Sequence, residues 1–162
     1  MTVTFSVRQA EPGDRDSCVA IVQQLPDYFT PNTHNELREH FSAPNAWVAV
    51  DRDEDTTVGF VLVESRYHGT AEIIFAAVLR ERHGCGIGTA LVEQAFAALA
   101  ERGVVIVEVK TLDASAGYKP YEETRAFWQS RGFHQIDSID PLPGWPPGNP
   151  AAIYAAALMA SR

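Results

Sequence analysis

The chain has 162 residues, 46% of them hydrophobic and 21% charged. It is long enough to bury a core without disulfides or a structural metal, and too apolar for a disordered chain. Lys and Arg number 13 against 21 Asp and Glu, a formal net charge of −8 with no basic stripe, so nucleic acid and anionic membrane are not expected partners. No apolar run reaches the roughly 20 residues of a membrane span, and the start lacks the pattern of a signal peptide. The expected compartment is the cytoplasm. A negative field favours cationic ligands such as amines, although acidity also serves solubility alone. The two cysteines, Cys18 and Cys85, are not expected to form a disulfide.

In chain order, Val3, Phe5 and Val7 alternate as a first strand over 3–9. Cys18, Ile21, Val22 and Leu25 come next at helical spacing after the turn at Glu11-Pro12-Gly13-Asp14. Pro26 ends that helix. A loop with Asp27, Tyr28 and Phe29 leads to a second short helix over 33–41. Residues 47–50 and 58–63 read as a hairpin about a charged turn, and 71–79 as a further strand. After Gly88 the period changes: Leu91, Ala95, Ala98 and Leu99 mark a helix stopping at Arg102-Gly103. The β-branched run 104–109 predicts a central strand. A helix over 124–131 ends at Gly132, and 133–139 and 152–157 read as two last strands. The proline-rich stretch 141–150 reads as a stiff loop within the domain.

The informative stretch is Val78-Leu79-Arg80-Glu81-Arg82-His83-Gly84-Cys85-Gly86-Ile87-Gly88-Thr89. It joins a strand to a helix through three glycines at alternate positions. Glycine admits positive φ and close approach of a ligand to the backbone. A helix start presents unpaired N–H groups and the positive end of its dipole. Together these suit a phosphate or diphosphate, although a tight turn without ligand has the same spelling. A P-loop would need Gly-Lys-Ser/Thr, and a dinucleotide fold Gly-x-Gly-x-x-Gly; neither is present.

At these residues the chain resembles the GNAT superfamily of acetyl-CoA-dependent N-acetyltransferases, whose pattern is Gln/Arg-x-x-Gly-x-Gly/Ala opening a helix. Val78 fits the strand end and Gly86 and Gly88 the glycines, while His83 stands where Gln or Arg is usual. The preceding Arg82 is a second source of charge. Phe127-Trp128-Gln129-Ser130-Arg131-Gly132-Phe133 is similar to the family's late motif Phe-Tyr-x-x-x-Gly-Phe, and the element order agrees over essentially the whole chain. The resemblance implies an α/β (α+β) fold: a single domain over 3–160, with a mixed sheet of six to seven strands and about four helices. The sheet would be splayed between the strand 71–79 and the strand 104–110. It further implies that Val78, Leu79 and Arg80 pair with the pantetheine arm of acetyl-CoA. His83, Gly84, Cys85, Gly86, Ile87, Gly88 and Thr89 would hold its diphosphate, with Trp128 packing on the cosubstrate.

An alkylammonium, with pKa about 10.4, must lose a proton before it attacks a thioester. Glu72 is the first candidate base, because its strand in the resemblance carries a glutamate base in the histone acetyltransferase branch. Glu108 is a weaker one. A tyrosine usually protonates the leaving thiolate, and Trp128 occupies its place; an indole is not a proton acid. Tyr118 and Tyr121 could substitute, or the thiolate, with pKa near 8.5, leaves unaided. Cys85 as an acyl carrier would need His83 as its activator, and adjacent loop side chains usually splay apart. The histidines lack metal-ligand spacing, so no metal is expected. Asp27, Tyr28, Phe29, Thr111 and Trp145 are acceptor-side candidates, with Trp47 and Asp113 beside them; aromatics with an aspartate suit a cationic, partly apolar amine.

The expected activity is transfer of acetyl from acetyl-CoA, as cosubstrate, to a primary amine of a small molecule in a ternary complex. The chain would act alone or as a homodimer. Alternatives are a catalytically silent acyl-CoA sensor, an acetyltransferase of protein or peptide amines, and a binder of another nucleotide.

Overall fold

The computed structural model of the protein describes residues 4–159. Val3 and position 160, the outermost positions of the expected domain, lie outside the described residues. The elements keep the order read from the sequence: β1 (Phe5–Gln9), α1 (Arg15–Gln23), α2 (Pro31–His40), β2 (Ala46–Asp51), β3 (Thr56–Ser65), β4 (Thr70–Val78), α3 (Ile87–Glu101), β5 (Ile106–Leu112), α4 (Tyr121–Ser130), β6 (His134–Ile139) and β7 (Ala151–Ala157). The seven strands form one mixed sheet in the order β1-β2-β3-β4-β5-β7-β6. β4 and β5 are parallel, and β5–β7 and β6–β7 antiparallel. The chain divides into two compact units. The first is the chain up to Glu64 with Ile74–Leu99, and the second is Ser65–Ile73 with the chain from Ala100 onward.

In the first unit, β1 pairs with β2 from Phe5↔Asp51 to Gln9↔Trp47. β2 reads as a continuous apolar run because almost every residue in it is buried. Its core joins Cys18, Ile21 and Val22, the helical stripe of α1, and Leu25 just beyond its end to Leu37 of α2 and to Val48, Phe60, Leu62 and Ala77. The α2 helix begins two residues earlier than its apolar pattern suggests. Thr30 caps it by accepting from Thr33 N, and Pro31 sits in the first turn, where a missing N–H costs nothing. Along β2–β3 the register shifts between Ala49 and Val50, so that Ala49 faces Gly59 and Val50 faces Thr57. Val58 is the extra residue, and its carbonyl accepts the N–H of Leu79 at 2.9 Å.

In the second unit, β7 is buried along most of its length and lies between β5 and the exposed edge strand β6. Trp128 and Phe133 meet edge-to-face at 5.2 Å, and Trp128 meets Phe127 the same way at 4.9 Å. The strand expected at 104 begins at Ile106, because Gly103 adopts φ +86° and Val105 N donates instead to Gly69 O. The helix expected at 124 begins at Tyr121, directly after Pro120, whose fixed φ suits a helix start. The β4–β5 ladder covers only Thr70↔Ile106 to Ile73↔Val109. The strands themselves are longer, β4 running on to Val78 and β5 to Leu112.

Gly59 is the tightest glycine. A Cβ there would lie 3.1 Å from Val78 Cγ2, 3.2 Å from the Ala77 carbonyl and 3.2 Å from Ile87 Cγ2. Overpacking of this kind costs about 1–3 kcal/mol. Gly59→Ala is therefore expected to lower the denaturant midpoint by that equivalent without changing the slope of the transition.

Candidate functional site

The turn between β4 and α3 lies within the first unit. A short 3-10 turn, Arg80–Arg82, leads from the strand into Gly84 and Gly86, whose φ values are +76° and +81°. Those values are in the left-handed region, where a side chain is strained and glycine is not. Gly84 and Gly86 are exposed, and a Cβ built on either meets nothing within 4 Å. The first ladder bond of α3 is Ala90 N to Gly86 O, at 3.0 Å. The N–H groups of Ile87, Gly88 and Thr89 precede it and have no i−4 carbonyl to reach. They open a helix of 15 residues whose dipole points its positive end the same way. Ile87 itself is buried and pins the helix start. The arrangement offers donors and space to a compact anion.

The strand end is tied down internally. A ring nitrogen of His83, Nε2, donates to Val78 O at 2.8 Å. Leu79 N donates to Val58 O, Leu79 O accepts from Arg82 N, and Arg80 O accepts from His83 N. These groups of Val78, Leu79 and Arg80 are therefore already engaged. Main-chain groups alternate edges along a strand. Leu79 N is directed at β3, so alternation sends Ala76 and the N–H of Val78 the other way, and neither belongs to a ladder pair that ends at Ile73↔Val109.

Charge around the turn is arranged in pairs. Arg82 does not project as a free cation. Its Nη2 lies 2.7 Å from Asp51 Oδ2 and 3.6 Å from Glu54 Oε2. Asp51 is only 3% exposed. Its Oδ1 also accepts from Asp53 N and Glu54 N. These backbone bonds, with Arg82 adding to them, hold its carboxyl below the usual carboxylate range. Arg80 pairs with Asp27 at 2.9 Å in the open. Phe29 stacks on Phe75 with centroids 6.3 Å apart, and Tyr28 and Phe29 pack against the core of this unit. Cys85 is partly exposed, its thiol 3.8 Å from the carbonyl of His83; that carbonyl is no activating base. Cys18 is buried, and burial pushes its thiol up to about 12.

The second unit holds the other candidates. Glu72 is 5% exposed. Its Oε2 accepts from Arg66 Nε at 2.7 Å, from Arg66 Nη2, and from Lys110 Nζ at 3.4 Å. Lys110 also reaches Glu108, at 3.2 Å, and Glu108 sits opposite Glu72 in the ladder. Glu72, the first candidate base, is thus one member of a four-charge cluster with Arg66, Lys110 and Glu108. Thr111 is 4% exposed, and its hydroxyl has no hydrogen-bond partner among the described residues. Tyr118 and Tyr121 lie side by side with centroids 5.7 Å apart, Tyr118 being 40% exposed. Trp128 is 4% exposed within its aromatic cluster, which leaves little of the indole for a ligand. Trp145 is half-buried in the proline-rich loop. Asp113 Oδ2 accepts from Ser115 N and Oγ, and its Oδ1 from Gln135 at 2.7 Å. Among the described residues no group of His, Cys, Asp and Glu could hold a metal ion, and no helix is long and apolar enough to cross a membrane.

The sequence profile of the acetyltransferase (GNAT) family matches residues 16–133. No curated protein sequence matches the chain. Among solved structures, Ard1 from Thermoplasma volcanium is similar with TM-score 0.76 and 20% identity, over 97% of this chain and 99% of that one. The ribosomal-protein-S18-alanine N-acetyltransferase from Escherichia coli has TM-score 0.76 and 16% identity, over 98% and 97%. An aminoglycoside 6′-N-acetyltransferase complexed with coenzyme A has TM-score 0.70 and 18% identity, over 98% and 99%. At such identities the structural likeness shows the fold.

The hydrogen bonds of Asp113, first those from Ser115, hold its carboxyl below the usual range. A depressed carboxyl stabilises the fold above the unfolded pKa of about 3.9, and that contribution is lost as pH falls through the lower folded value. Asp113→Asn is therefore expected to lower stability at pH 7 and to flatten the loss between pH 5 and pH 3. Denaturant midpoints across that range check it.

Proposed function

Because the chain belongs to the acetyltransferase (GNAT) family, we propose that it is a single N-acetyltransferase domain that moves the acetyl group of acetyl-CoA onto a primary amine of a small molecule. The observation that carries this reading is the exposed β4–α3 turn, whose positive-φ glycines and orphan amides suit a diphosphate. The N–H groups from Gly84 to Thr89 bind that diphosphate. The strand end from Ala76 to Arg80, through main-chain groups not already bonded such as the N–H of Val78, supplies strand-like hydrogen bonds to the amides of the pantetheine arm.

Acetyl-CoA supplies an acyl thioester. The amine nitrogen attacks its carbonyl carbon, the C–N bond forms, the C–S bond breaks with the electron pair leaving on sulfur, and the ammonium proton passes to a base. Glu72 is the proton acceptor in this reading, directly or through water. Arg66 and Lys110 orient its carboxylate, and accepting a proton loosens their grip. Tyr121 or Tyr118 donates to the thiolate where donation is needed; Trp128 packs. The unpaired hydroxyl of Thr111 supports contact with the acceptor, because a buried hydroxyl without a partner costs about 1–3 kcal/mol and a ligand's polar group relieves that cost. The acidic balance of the chain supports a cationic acceptor.

Two measurements test the reading. Coenzyme A at 100 times its Kd is expected to stabilise the protein by about 2.7 kcal/mol, read as a rise in Tm, with ATP and NAD without effect at that concentration. Glu72→Gln is expected to lower kcat by about 10²-fold, with coenzyme A binding unchanged. The deficit shrinks as pH rises towards the amine's own pKa. An unchanged kcat at every pH removes Glu72 from the reaction.

A further inference from the structure

The loop that enters the glycine turn has no ladder of its own, yet it must hold its amides in one direction. Three features of the first unit bear on how it does so. Arg82 closes the 3-10 turn one residue before His83, and its guanidinium crosses to the β2–β3 hairpin, where Asp51 receives it at 2.7 Å. The receiving carboxylate is buried and already fixed by two backbone N–H groups of its own turn, Asp53 and Glu54. His83 then ties back to Val78 O. The residues just before Gly84 are thus moored on two sides, to a hairpin and to the preceding strand, while Gly84 and Gly86 themselves stand open.

We propose that Asp51 and Arg82 are positioning residues for the diphosphate-binding turn, a proposal that rests on the reading of that turn given above. Asp51 lies 31 positions before Arg82, at the end of β2, and Glu54 of the same hairpin stands farther from the guanidinium, at 3.6 Å. The Asp51 carboxylate takes up the guanidinium charge, so Arg82 contributes geometry rather than a phosphate contact. A buried charge whose partner is removed is left uncompensated. Either single change therefore frees the turn to sample other directions, and the two changes together do little more than one. This separates the proposal from the expectation for an arginine near a phosphate site, where the guanidinium itself would be the ligand.

The test measures Kd by calorimetry for coenzyme A and for S-acetylpantetheine, which has the same arm without the diphosphate. The proteins are the wild type, Asp51→Asn, Arg82→Gln and the double variant. Asn at 51 keeps an oxygen for the two backbone donors. The proposal expects coenzyme A to bind about tenfold more weakly to each single variant and to the double, S-acetylpantetheine to bind all four alike, and kcat at saturation to hold. Arg82→Lys, which keeps a cation for Asp51, is expected to recover part of the loss. It replaces Asp51→Asn in the comparison if that variant does not fold. Weaker binding in Arg82→Gln with unchanged or tighter binding in Asp51→Asn would make Arg82 a phosphate ligand and overturn the proposal. Equal losses for both ligands would make the pair a general fold contact and overturn it too. A wild type that binds no coenzyme A removes the functional reading and this inference with it; a wild type that binds while the variants match it removes the inference alone.

Discussion

A helix cannot hydrogen-bond its own first amides, and α3 exposes that deficit at the end of a strand. The glycines before it set positive φ at Gly84 and Gly86, so no Cβ covers the backbone there. The rest of the first unit is arranged around that constraint. Ile87 and Leu91 bury the near turn of α3. Gly59 lets β3 pass against Val78 and Ile87 with no side chain between. Leu79 borrows the carbonyl that the register shift at Val58 leaves over. The result is a rigid frame that presents donors without partners of its own, an arrangement in which a bound anion replaces water at little reorganisation cost.

The charges obey a second rule, that a buried ion needs a partner. Asp51 with Arg82, and Glu72 with Arg66 and Lys110, satisfy it, as buried Asp14 does with Arg8. In the first two, a residue type that suggests chemistry in the sequence turns out to be held by neighbours. The two clusters serve different ends. Asp51 maintains the shape of a turn. Glu72 remains the carboxylate whose proton transfer the proposed reaction needs, and its cations fix where it points.

Much of the fold is legible in the chain because its signals are local. The α1 stripe, the Gly103 stop and the apolar runs of β2 and β3 each report their own element, and their order is the order of the structure. Boundaries slip where a single residue overrides a pattern, as Gly103 does by delaying β5 and Pro120 by starting α4 early. The glycine turn is legible for the same reason: positive φ is a property of the residue itself. What escaped was set by distant partners. Nothing near Arg82 announces Asp51, and nothing near Glu72 announces the convergence of Arg66 with Lys110. The engagement of Leu79 N required knowing that β3 carries a spare carbonyl. Trp128 stands in a motif position where a tyrosine is usual, yet its surroundings are Phe127 and Phe133, which only packing reveals.

The central claim is that the main-chain amides from Gly84 to Thr89 grip the diphosphate of coenzyme A. Nitrogen-15 resolved NMR during titration with coenzyme A tests it most directly. The account predicts that the largest amide shifts fall on Gly84, Gly86, Ile87, Gly88 and Thr89, that they track one saturation curve, and that S-acetylpantetheine leaves them nearly unmoved. Saturable binding with those amides silent, and the shifts gathered elsewhere, would contradict it.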